Sequence, residues 1–599
     1  MTRFLALAEE GFASLALLVM VVLPLLEIIV RRLFGVGVPG SGPIVQHLTL
    51  WVGFLGAAIA ARDGKLLALA TGAFIPQGPW RRTADALAAS FGACSAVVLA
   101  WGGWQMAAIE REAGTTIGAG IPTWVTQLVL PASFAAIALR LVWRAGPTWR
   151  HRLAASTGLW AGALLIFAPR LIEGRALWPA FVVVFAAAVA GTPLFAILGG
   201  TAALLFLHDG VTPATILIET YSLSVSPTLP AIPLFTLAGF LLAEGRASER
   251  LLRVFRAFFG WIPGGTAVVC AVLCSFFTVF TGGSGVTILA LGGVLFPALL
   301  KDGYRERFSL GLLTASGSLG LLLPPALPLI LYAVVAQIPI EDIFIGGILP
   351  GILLTTMVAA WGVREGLVSR AGRYPFRAAE AVRSAWAAKW ELAMPGLVLV
   401  AMFSGLATAV EASALTALYA FVVQVLIHRD LSRQDLLRAF TECVTVIGGV
   451  LIILGVAVGL TNYLVGAQVP AKLLAWARGN ITSRLTFLLE LNLFLLAVGW
   501  LMEIFAAIVV VVPLIVPLGA AFGIHPVHLG IIFIANLELG FLTPLVGINI
   551  FLASYRFKRP VLEVCRAALP MMAILGIGVL IITYVPWLTT GILAWLGRA

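Results

Sequence analysis

The segment from Leu313 to Pro325 reads LTASGSLGLLLPP, and the segment from Phe533 to Leu545 reads FIANLELGFLTPL. An offset of 220 positions superimposes them and pairs Pro324 with Pro544, since 544 − 324 = 220. Glycine and proline interrupt both apolar segments, and matched interruptions in two halves of a membrane chain are typical of a transporter's binding site. The alternative is chance similarity between apolar, glycine-rich helices. The coincidence of turn residues, as well as of Leu and Ala, favours an internal repeat.

Composition places the chain among membrane proteins. Of its 599 residues, 61% are hydrophobic and 11% are charged, and the mean hydropathy is +1.05. A soluble domain carries roughly 25% charged residues. Apolar runs such as Phe12 to Val30 and Val444 to Leu460 are long enough to cross the ~30 Å hydrocarbon core as helices. The sequence therefore predicts an all-α, polytopic membrane protein surrounded by lipid.

The net charge of +11 is better explained by membrane topology than by nucleic-acid binding. Arg and Lys gather in short stretches within 62–82, 140–152 and 370–389. Such stretches tend to stay on the cytoplasmic side of a membrane. Residues 370–390 also have an amphipathic pattern, which favours a helix lying in the membrane interface. We expect a multi-pass protein with no nucleic-acid partner.

The pattern of apolar segments and the residues between them changes once along the chain. Residues 1–150 form a small module with four predicted spans and short loops. Residues 151–177 include an apolar segment, from Leu153 to Leu171, that predicts a transmembrane linker helix. Residues 178–599 form a large module of helices interrupted by glycine and proline, with repeats offset by 220 residues. We predict two functional modules joined by this linker.

The stretch from Phe280 to Pro297, FTGGSGVTILALGGVLFP, is short for a complete span. Its length favours a re-entrant hairpin whose tip, at residues 281–285, exposes backbone and hydroxyl groups. Unwound carbonyls and hydroxyls can ligate a hard cation such as sodium without burying a full charge. The alternative is glycine-rich packing of ordinary helices. Polar residues of both copies form the predicted substrate site: Thr281, Thr287, Asn536 and Asn549.

Five glutamates lie in apolar surroundings: Glu27, Glu411, Glu490, Glu503 and Glu538. A carboxylate at membrane depth is energetically costly and is therefore a functional candidate. Glu503 immediately precedes the second predicted hairpin, and Glu411 lies within ATAVEASAL. We predict these two as coupling carboxylates. Alternatively, each is a structural partner of a backbone N–H group or an arginine.

Taken in order, these stretches resemble the fused Q–M membrane component of a TRAP (tripartite ATP-independent periplasmic) transporter. The resemblance rests on LPAIPLFTLAGFLLAEG from Leu229, TGGSG from Thr281, GWLMEI from Gly499 and LGFLTPLVGINIF from Leu539. It implies a four-helix scaffold module and an inverted-repeat transport module with two re-entrant hairpins, working as an elevator in the bacterial inner membrane. It also implies uptake of a small organic solute, mostly an anion, coupled to sodium ions and needing no other cofactor.

The resemblance further implies a partner, a periplasmic solute-binding protein that is soluble or lipid-anchored and delivers the substrate. Our candidate for its docking site in the first module is the predicted loop from Trp104 to Gly120, with Glu110, Arg111 and Glu112. The alternative is that these charges only solvate the loop.

Carried over residue by residue, the resemblance assigns sodium ligands to both interrupted segments. They are Gly283, Ser284 and the carbonyl groups of Gly320, Leu323 and Pro325 in the first copy, with Thr543 and Val546 in the second. The family's first hairpin often reads GSS-x-A-D, and here Thr287 occupies the aspartate position. The family's TPP reads Thr543, Pro544 and Leu545 here. These departures affect the number of ions and the class of substrate.

Two other classes of protein are weighed against a binding-protein-dependent transporter. A stand-alone ion-coupled carrier of the same superfamily has no evident use for an additional four-helix module. A membrane-embedded enzyme is the remote alternative, because the six histidines form no HExxH motif and no catalytic residue is predicted. His525 and His528 flank Pro526 in a predicted loop, which favours solvent exposure. The five cysteines are expected to be free thiols, and no metal other than sodium is expected.

Overall fold

The computed structural model describes residues 2–68, 75, 78–146, 148–372, 374–404, 407–481, 483–543 and 547–598. Within these ranges the secondary structure is helical, apart from isolated bridges that pair Ala68 with Pro193 and Thr116 with Pro122. Ten of the described helices are long and apolar enough to cross a membrane, or up to twelve if each of two bent pairs is one span. The prediction of an all-α, polytopic membrane protein is confirmed.

The described α-helices are numbered in chain order. The first nine are α1 (Thr2–Phe34), α2 (Ser41–Asp63), α3 (Pro79–Ala113), α4 (Thr123–Gln127), α5 (Val129–Arg144), α6 (Trp149–Phe167), α7 (Trp178–Val189), α8 (Leu194–His208) and α9 (Ala214–Ser224). The next nine are α10 (Ala231–Glu244), α11 (Ala247–Phe259), α12 (Gly265–Thr281), α13 (Ser284–Lys301), α14 (Glu306–Ser316), α15 (Leu327–Ala336), α16 (Ile340–Val368), α17 (Ala378–Ala387) and α18 (Lys389–Phe403). The last nine are α19 (Ala409–Phe421), α20 (Arg433–Gly466), α21 (Val469–Asn480), α22 (Arg484–Leu501), α23 (Ile504–Ala521), α24 (Pro526–Gly540), α25 (Ile548–Phe557), α26 (Val561–Tyr584) and α27 (Trp587–Trp595).

The chain divides into two compact units. The first comprises Met1–Leu234, Phe440–Lys472 and Val509–Val511, and the second comprises Phe235–Ala439, Leu473–Ile508 and Val512–Ala599. These contact-based units do not follow the predicted module boundaries at residues 150 and 178. The three-part organisation expected from sequence therefore stays a prediction.

Glycines bring helices close together in the first unit. Gly158 of α6 faces the backbone of Ser90 in α3, and Gly56 of α2 faces the backbone of Val444 in α20. A Cβ atom at either glycine would overlap the facing backbone. Small residues permit this close approach where helices pack inside a membrane. The segment predicted as a linker, 153–171, thus corresponds mainly to α6, which packs against α3.

The second unit contains two series of helices with the same spacing. Helix α13 covers residues 284–301 and α23 covers 504–521, and both limits differ by 220, since 284 + 220 = 504 and 301 + 220 = 521. The preceding helices α12 and α22 end at 281 and 501, and the following helices α14 and α24 begin at 306 and 526. The same offset that superimposes the two sequence segments therefore superimposes the helix limits on both sides of each hairpin.

Different residues make the same break in the two hairpins. In the first hairpin, Gly282 ends α12 with a φ of 65°, a left-handed conformation that glycine adopts without strain. In the second, the side chain of Glu503 accepts a hydrogen bond of 2.9 Å from the backbone N–H of Phe505 and starts α23 as its N-cap. In each hairpin, two residues that belong to neither helix separate the two arms, 282–283 in the first and 502–503 in the second.

Two predictions about local structure need correction or refinement. The predicted docking loop from Trp104 to Gly120 is largely helical, because α3 continues to Ala113 and a 3-10 turn occupies 118–120. The amphipathic stretch 370–390 contains α17, which is followed by a bend of 64° into α18. The placement of α17 in a membrane interface stays a prediction.

Candidate functional site

The first hairpin and the first interrupted segment enclose a cluster of hydroxyl and carbonyl oxygens. The Oγ1 atom of Thr278 lies 2.8 Å from Oγ1 of Thr287, 2.8 Å from the carbonyl oxygen of Cys274 and 2.9 Å from that of Gly317. Oγ1 of Thr281 lies 3.2 Å from Oγ1 of Thr287. All three threonines are buried, and Thr278 and Thr287 are completely so. We call Thr278, Thr281, Thr287 and the Gly317 carbonyl the hydroxyl cluster.

The hydroxyl cluster has more acceptors than protons. Thr278 carries one hydroxyl proton, yet both the Cys274 and Gly317 carbonyl oxygens lie within hydrogen-bond distance of its oxygen. The proton can serve only one of them fully, so electron-rich oxygens face one another in a buried place. Neutral oxygens with spare lone pairs are the ligands that hard cations prefer.

The predicted ligands of the first copy lie around this cluster. Gly283 is the N-cap of α13, and Ser284 is its first residue and is buried. Gly317 packs against the backbone of Ser284, while Gly320 packs against Thr278 and the backbone of Ser275. The interrupted segment therefore contacts both arms of the hairpin.

The carbonyl oxygens of Gly320 and Leu323, both predicted sodium ligands, can accept a further partner. The Gly320 carbonyl accepts the N–H of Leu323 at 3.1 Å, and the Leu323 carbonyl accepts the N–H of Ala326 at 3.0 Å. Each carbonyl oxygen has a second lone pair for another partner. Pro325 is buried and follows a cis peptide bond.

The second copy has a similar close approach at its break. Gly540 packs against the backbone of Gly499 in α22, as Gly320 does against α12. The hydroxyl group of Thr543 donates to the Gly540 carbonyl at 2.6 Å. Val546, the other predicted ligand here, and Pro544 lie outside the described residues.

The two predicted substrate asparagines occupy different surroundings. Asn536 is buried and donates from Nδ2 to Oδ1 of Asn492 at 2.7 Å, and Oδ1 of Asn492 also accepts from the hydroxyl group of Thr583 at 3.1 Å. Asn549 is buried and donates from Nδ2 to the Thr314 carbonyl at 3.3 Å, which connects α25 of the second copy with α14 of the first. Its Oδ1 has no hydrogen-bond partner among the described residues.

The two predicted coupling carboxylates both begin helices. Glu411 forms a capping box with Thr408, whose backbone N–H donates to the glutamate at 2.8 Å. Glu503 caps α23 as described above. These contacts match the structural alternative stated for both residues, and a coupling role stays a prediction.

Several polar residues of this region were not selected from the sequence. Glu538 is 1% exposed, and neither carboxylate oxygen has a hydrogen-bond partner among the described residues. The sequence places Glu538 in apolar surroundings, but it does not precede a predicted hairpin as Glu503 does. Thr278 and Asn492 were missed, although Asn492 is a polar residue in an apolar helix and the same test would have found it.

The expectation that His525 and His528 are solvent-exposed is wrong for His528. This residue lies in α24 and is fully buried, with Nδ1 2.8 Å from the hydroxyl of Thr589 and Nε2 3.2 Å from the carbonyl of Thr583. Pro526 starts the helix instead of extending a loop. All five cysteines are free thiols, as expected.

The fold is that of a multi-pass helical membrane protein. Sequence models of two families match the chain. One is described as "Tripartite ATP-independent periplasmic transporter, DctM component" and matches residues 181–588. The other is described as "Tripartite ATP-independent periplasmic transporters, DctQ component" and matches residues 20–151. The chain belongs to the TRAP transporter family and carries both membrane components in one polypeptide.

Relatives with assigned names support this membership. The isethionate TRAP transporter permease protein DctMQ of Oleidesulfovibrio alaskensis is 32% identical over 483 residues, which cover 78% of this chain and 74% of the relative. The C4-dicarboxylate TRAP transporter large permease protein DctM of Pseudomonas aeruginosa is 32% identical, covering 67% of this chain and 94% of the relative. The ectoine/5-hydroxyectoine TRAP transporter large permease protein UehC of Ruegeria pomeroyi is 29% identical, covering 60% of this chain and 84% of the relative.

Among solved structures, the Alcanivorax borkumensis YdaH transporter is 16% identical, with a TM-score of 0.47, and covers 63% of this chain and 88% of its own. That likeness is too low to support any inference. The family membership is sufficient to identify a multi-pass protein of the bacterial inner membrane that takes part in solute uptake and is not an enzyme.

Proposed function

We propose that this chain couples the uptake of a small organic anion to sodium ions and receives the anion from a periplasmic binding protein. The hydroxyl cluster is the observation that supports sodium coupling. It offers several neutral oxygens in a buried place beside both a hairpin break and an interrupted helix, where a dehydrated cation finds ligands and little competing water.

This proposal assigns residues to two roles, sodium binding and substrate binding. Sodium binds to Ser284 and the carbonyls of the first interrupted segment, and a second ion binds at Thr543 in the other copy. The substrate contacts the polar groups of both hairpin regions, which are Thr281, Thr287, Asn536 and Asn549. In the first copy, the hydroxyl groups of Thr281 and Thr287 also serve as ligands of the neighbouring sodium ion. The unpaired Oδ1 of Asn549 can accept a hydrogen bond from a hydroxyl group of the substrate. The contact of its Nδ2 with the Thr314 carbonyl of the first copy favours a position between the two interrupted segments.

The proposed substrate class follows from the relatives. Two of the three relatives named above are permeases for isethionate and C4-dicarboxylates, which are small organic anions. Loaded hairpins moving against a scaffold, as an elevator, are the proposed means of transport. The cation then stabilises the loaded state, because it binds close to the anion and offsets its charge.

Sodium coupling is tested by uptake into proteoliposomes that contain the purified chain and a cognate binding protein, with isethionate and a C4-dicarboxylate as trial substrates. A sodium gradient should drive uptake, and Ser284→Ala or Thr543→Ala should raise the sodium concentration needed, because each variant removes a ligand oxygen. Uptake that ignores sodium and follows a proton gradient would refute this coupling, and Glu503 would then become the leading proton carrier.

Dependence on the partner is tested in the same vesicles by leaving out the binding protein. We expect uptake to fall to background, because a docked partner supplies contacts that differ between the two states of the carrier. Our candidate contact remains the end of α3, where Arg111 stacks on Trp124 with its guanidinium carbon 5.4 Å from the ring centroid. Full uptake of free substrate would favour a stand-alone carrier instead.

A further inference from the structure

A basic cavity of about 950 Å³ lies between α11 and α17, in the second unit. Five arginines line it, together with one glutamate, Glu380: Arg250, Arg253, Arg256, Arg377 and Arg383. Helix α11 precedes the first hairpin in the chain, but neither the uptake proposal nor the sodium site uses the residues that line this cavity.

Two of the five arginines already have anionic partners. Arg250 pairs with Glu391 at 2.6 Å and with Asp430 at 2.6 Å. Arg256 contacts Asp302 at 3.2 Å and donates to the hydroxyl group of Tyr374 at 2.8 Å. These arginines therefore shape the cavity wall, and their charges are largely compensated within the protein.

The other three arginines, Arg253, Arg377 and Arg383, outnumber the one carboxylate that lines the cavity with them, Glu380. They are exposed, and none forms an ion pair with a carboxylate among the described residues. Three unpaired guanidinium groups around one cavity favour a ligand with several anionic oxygens, since guanidinium binds phosphate through paired hydrogen bonds.

An apolar surface lies directly beside this charge. On α17, Val382 and Trp386 are separated by one helical turn and are 68% and 71% exposed, and Phe376 just before the helix is 54% exposed. Lys389 places its Nζ atom 3.8 Å from the centroid of the Trp386 ring. Exposed tryptophan next to basic side chains is typical of the membrane–water interface. A ligand held here has its charge in the cavity and an apolar part along Val382 and Trp386.

We propose that the cavity between α11 and α17 binds the phosphate headgroup of an anionic phospholipid, with the acyl chains along the apolar face of α17. The unpaired arginines supply the charge, and the exposed apolar side chains of α17 supply the lipid contact. The phosphate chemistry alone would also suit a free phosphate ion. The exposed Val382 and Trp386 favour the lipid, because a free ion has no use for them.

The test measures lipid binding to the complete chain in mixed detergent micelles by native mass spectrometry, with phosphatidylglycerol against phosphatidylcholine. The triple variant R253Q/R377Q/R383Q should bind phosphatidylglycerol at least about tenfold more weakly, since each basic residue near an anionic surface contributes about fivefold. The control R433Q/R438Q/R566Q removes the same charge at exposed arginines outside the cavity and should bind normally. Equal weakening in both triple variants, or in neither, would overturn the proposal.

A second pair of measurements separates the lipid from free phosphate. Val382→Ala/Trp386→Ala should weaken the binding of phosphatidylglycerol while leaving all cavity arginines in place. Inorganic phosphate and glycerol 3-phosphate should compete poorly, because they lack acyl chains. If inorganic phosphate binds as tightly as the lipid and the double variant has no effect, the site is one for a soluble anion and the lipid assignment is wrong.

Discussion

At the scale of single residues, Thr287 distinguishes this chain from the family pattern that it resembles. An aspartate often occupies this position in the pattern, and here a fully buried threonine contacts Thr278 and Thr281. A buried carboxylate needs a compensating partner to stay ionised, whereas a buried hydroxyl needs only a hydrogen bond. In this hairpin, Thr278 and Thr281 can therefore satisfy the hydroxyl group of Thr287 without an ion.

The hydroxyl of Thr287 is the group to remove first. Thr287→Val keeps the shape of the side chain and deletes the oxygen that two other threonines contact. We expect the sodium concentration for half-maximal uptake to rise about fivefold, taking about 1 kcal/mol for the lost interaction. Thr416→Val is the matched control, because Thr416 is equally buried but bonds only to a carbonyl of its own helix, α19, at 2.6 Å. Similar sodium curves for both variants would contradict the assignment.

Arg250 is the residue whose loss should damage stability most. It contacts Glu391, Asp430 and the amide oxygen of Gln424, and the Glu391 side chain is 0% exposed. Arg250→Met would leave that carboxylate buried without its main partner, at a cost of about 3–5 kcal/mol. We expect a clear fall in the apparent melting temperature measured in detergent.

Arg438→Met serves as the control for Arg250. The Arg438 side chain is 67% exposed and lies 4.0 Å from Glu244, and a solvent-exposed pair of this kind contributes little. A melting temperature for Arg250→Met that matches the control would show that the buried network is not needed for stability.

At the scale of elements, the two hairpins break at equivalent positions, but different residues make the break. The limits of the helices repeat with the offset found in the sequence, yet Gly282 ends α12 by its left-handed backbone and Glu503 starts α23 by capping. The position of the break thus matters more to this fold than the identity of the residue that makes it. Close packing of Gly320 and Gly540 then fixes each interrupted segment against its hairpin.

Gly320→Ala should disturb this packing. A Cβ atom there would overlap the backbone of Ser275, which cannot move aside as a flexible side chain would. We expect uptake to fall at least tenfold while the protein remains in the membrane. Gly396→Ala in α18 is the control, because nothing lies within 4 Å of the added atom. Normal uptake by Gly320→Ala would show that the interrupted segment tolerates displacement from α12.

The elements were easier to predict from the sequence than the site. Glycine, proline and apolar runs are local signals, so the helical class, the two breaks and the offset follow from them. The hydroxyl cluster depends on Thr278 meeting a carbonyl 39 residues later in the chain, and no local pattern reports such a contact. The exposure predicted for His528 is wrong because Pro526 begins a helix instead of marking a loop. The partners of this histidine, Thr583 and Thr589, lie 55 and 61 residues further along the chain, where no local pattern indicates them.

At the scale of the whole molecule, one polypeptide carries the regions that match the DctQ and DctM families. Between the matched regions lie α6 and a short connection before α7. Helix α6 is held to α3 by glycine contacts, and α3 in turn packs against α8 and α9 within the first unit. The first unit therefore includes contacts between both matched regions.

Cutting the connection should leave a working protein. Fragments 1–174 and 175–599, co-expressed, should co-purify and retain uptake, because α3 still meets α8 and α9. A cut within α6 after Ser156 is the control and should impair assembly. It places Gly158 in the second fragment and Ser90, on which Gly158 packs, in the first. Failure of the first pair to co-purify, with both fragments present in the membrane, would show that the covalent connection itself is needed for assembly.

The connection after α6 also makes the assembly of the two parts independent of their concentration. Two separate chains meet by mass action, so the assembled fraction of a split pair falls when either copy number falls. A short tether instead keeps the two parts at an effective concentration on the order of millimolar, whatever the expression level. Uptake by the intact chain should therefore scale in proportion to the amount of protein, whereas uptake by the split pair should fall more steeply as expression is reduced.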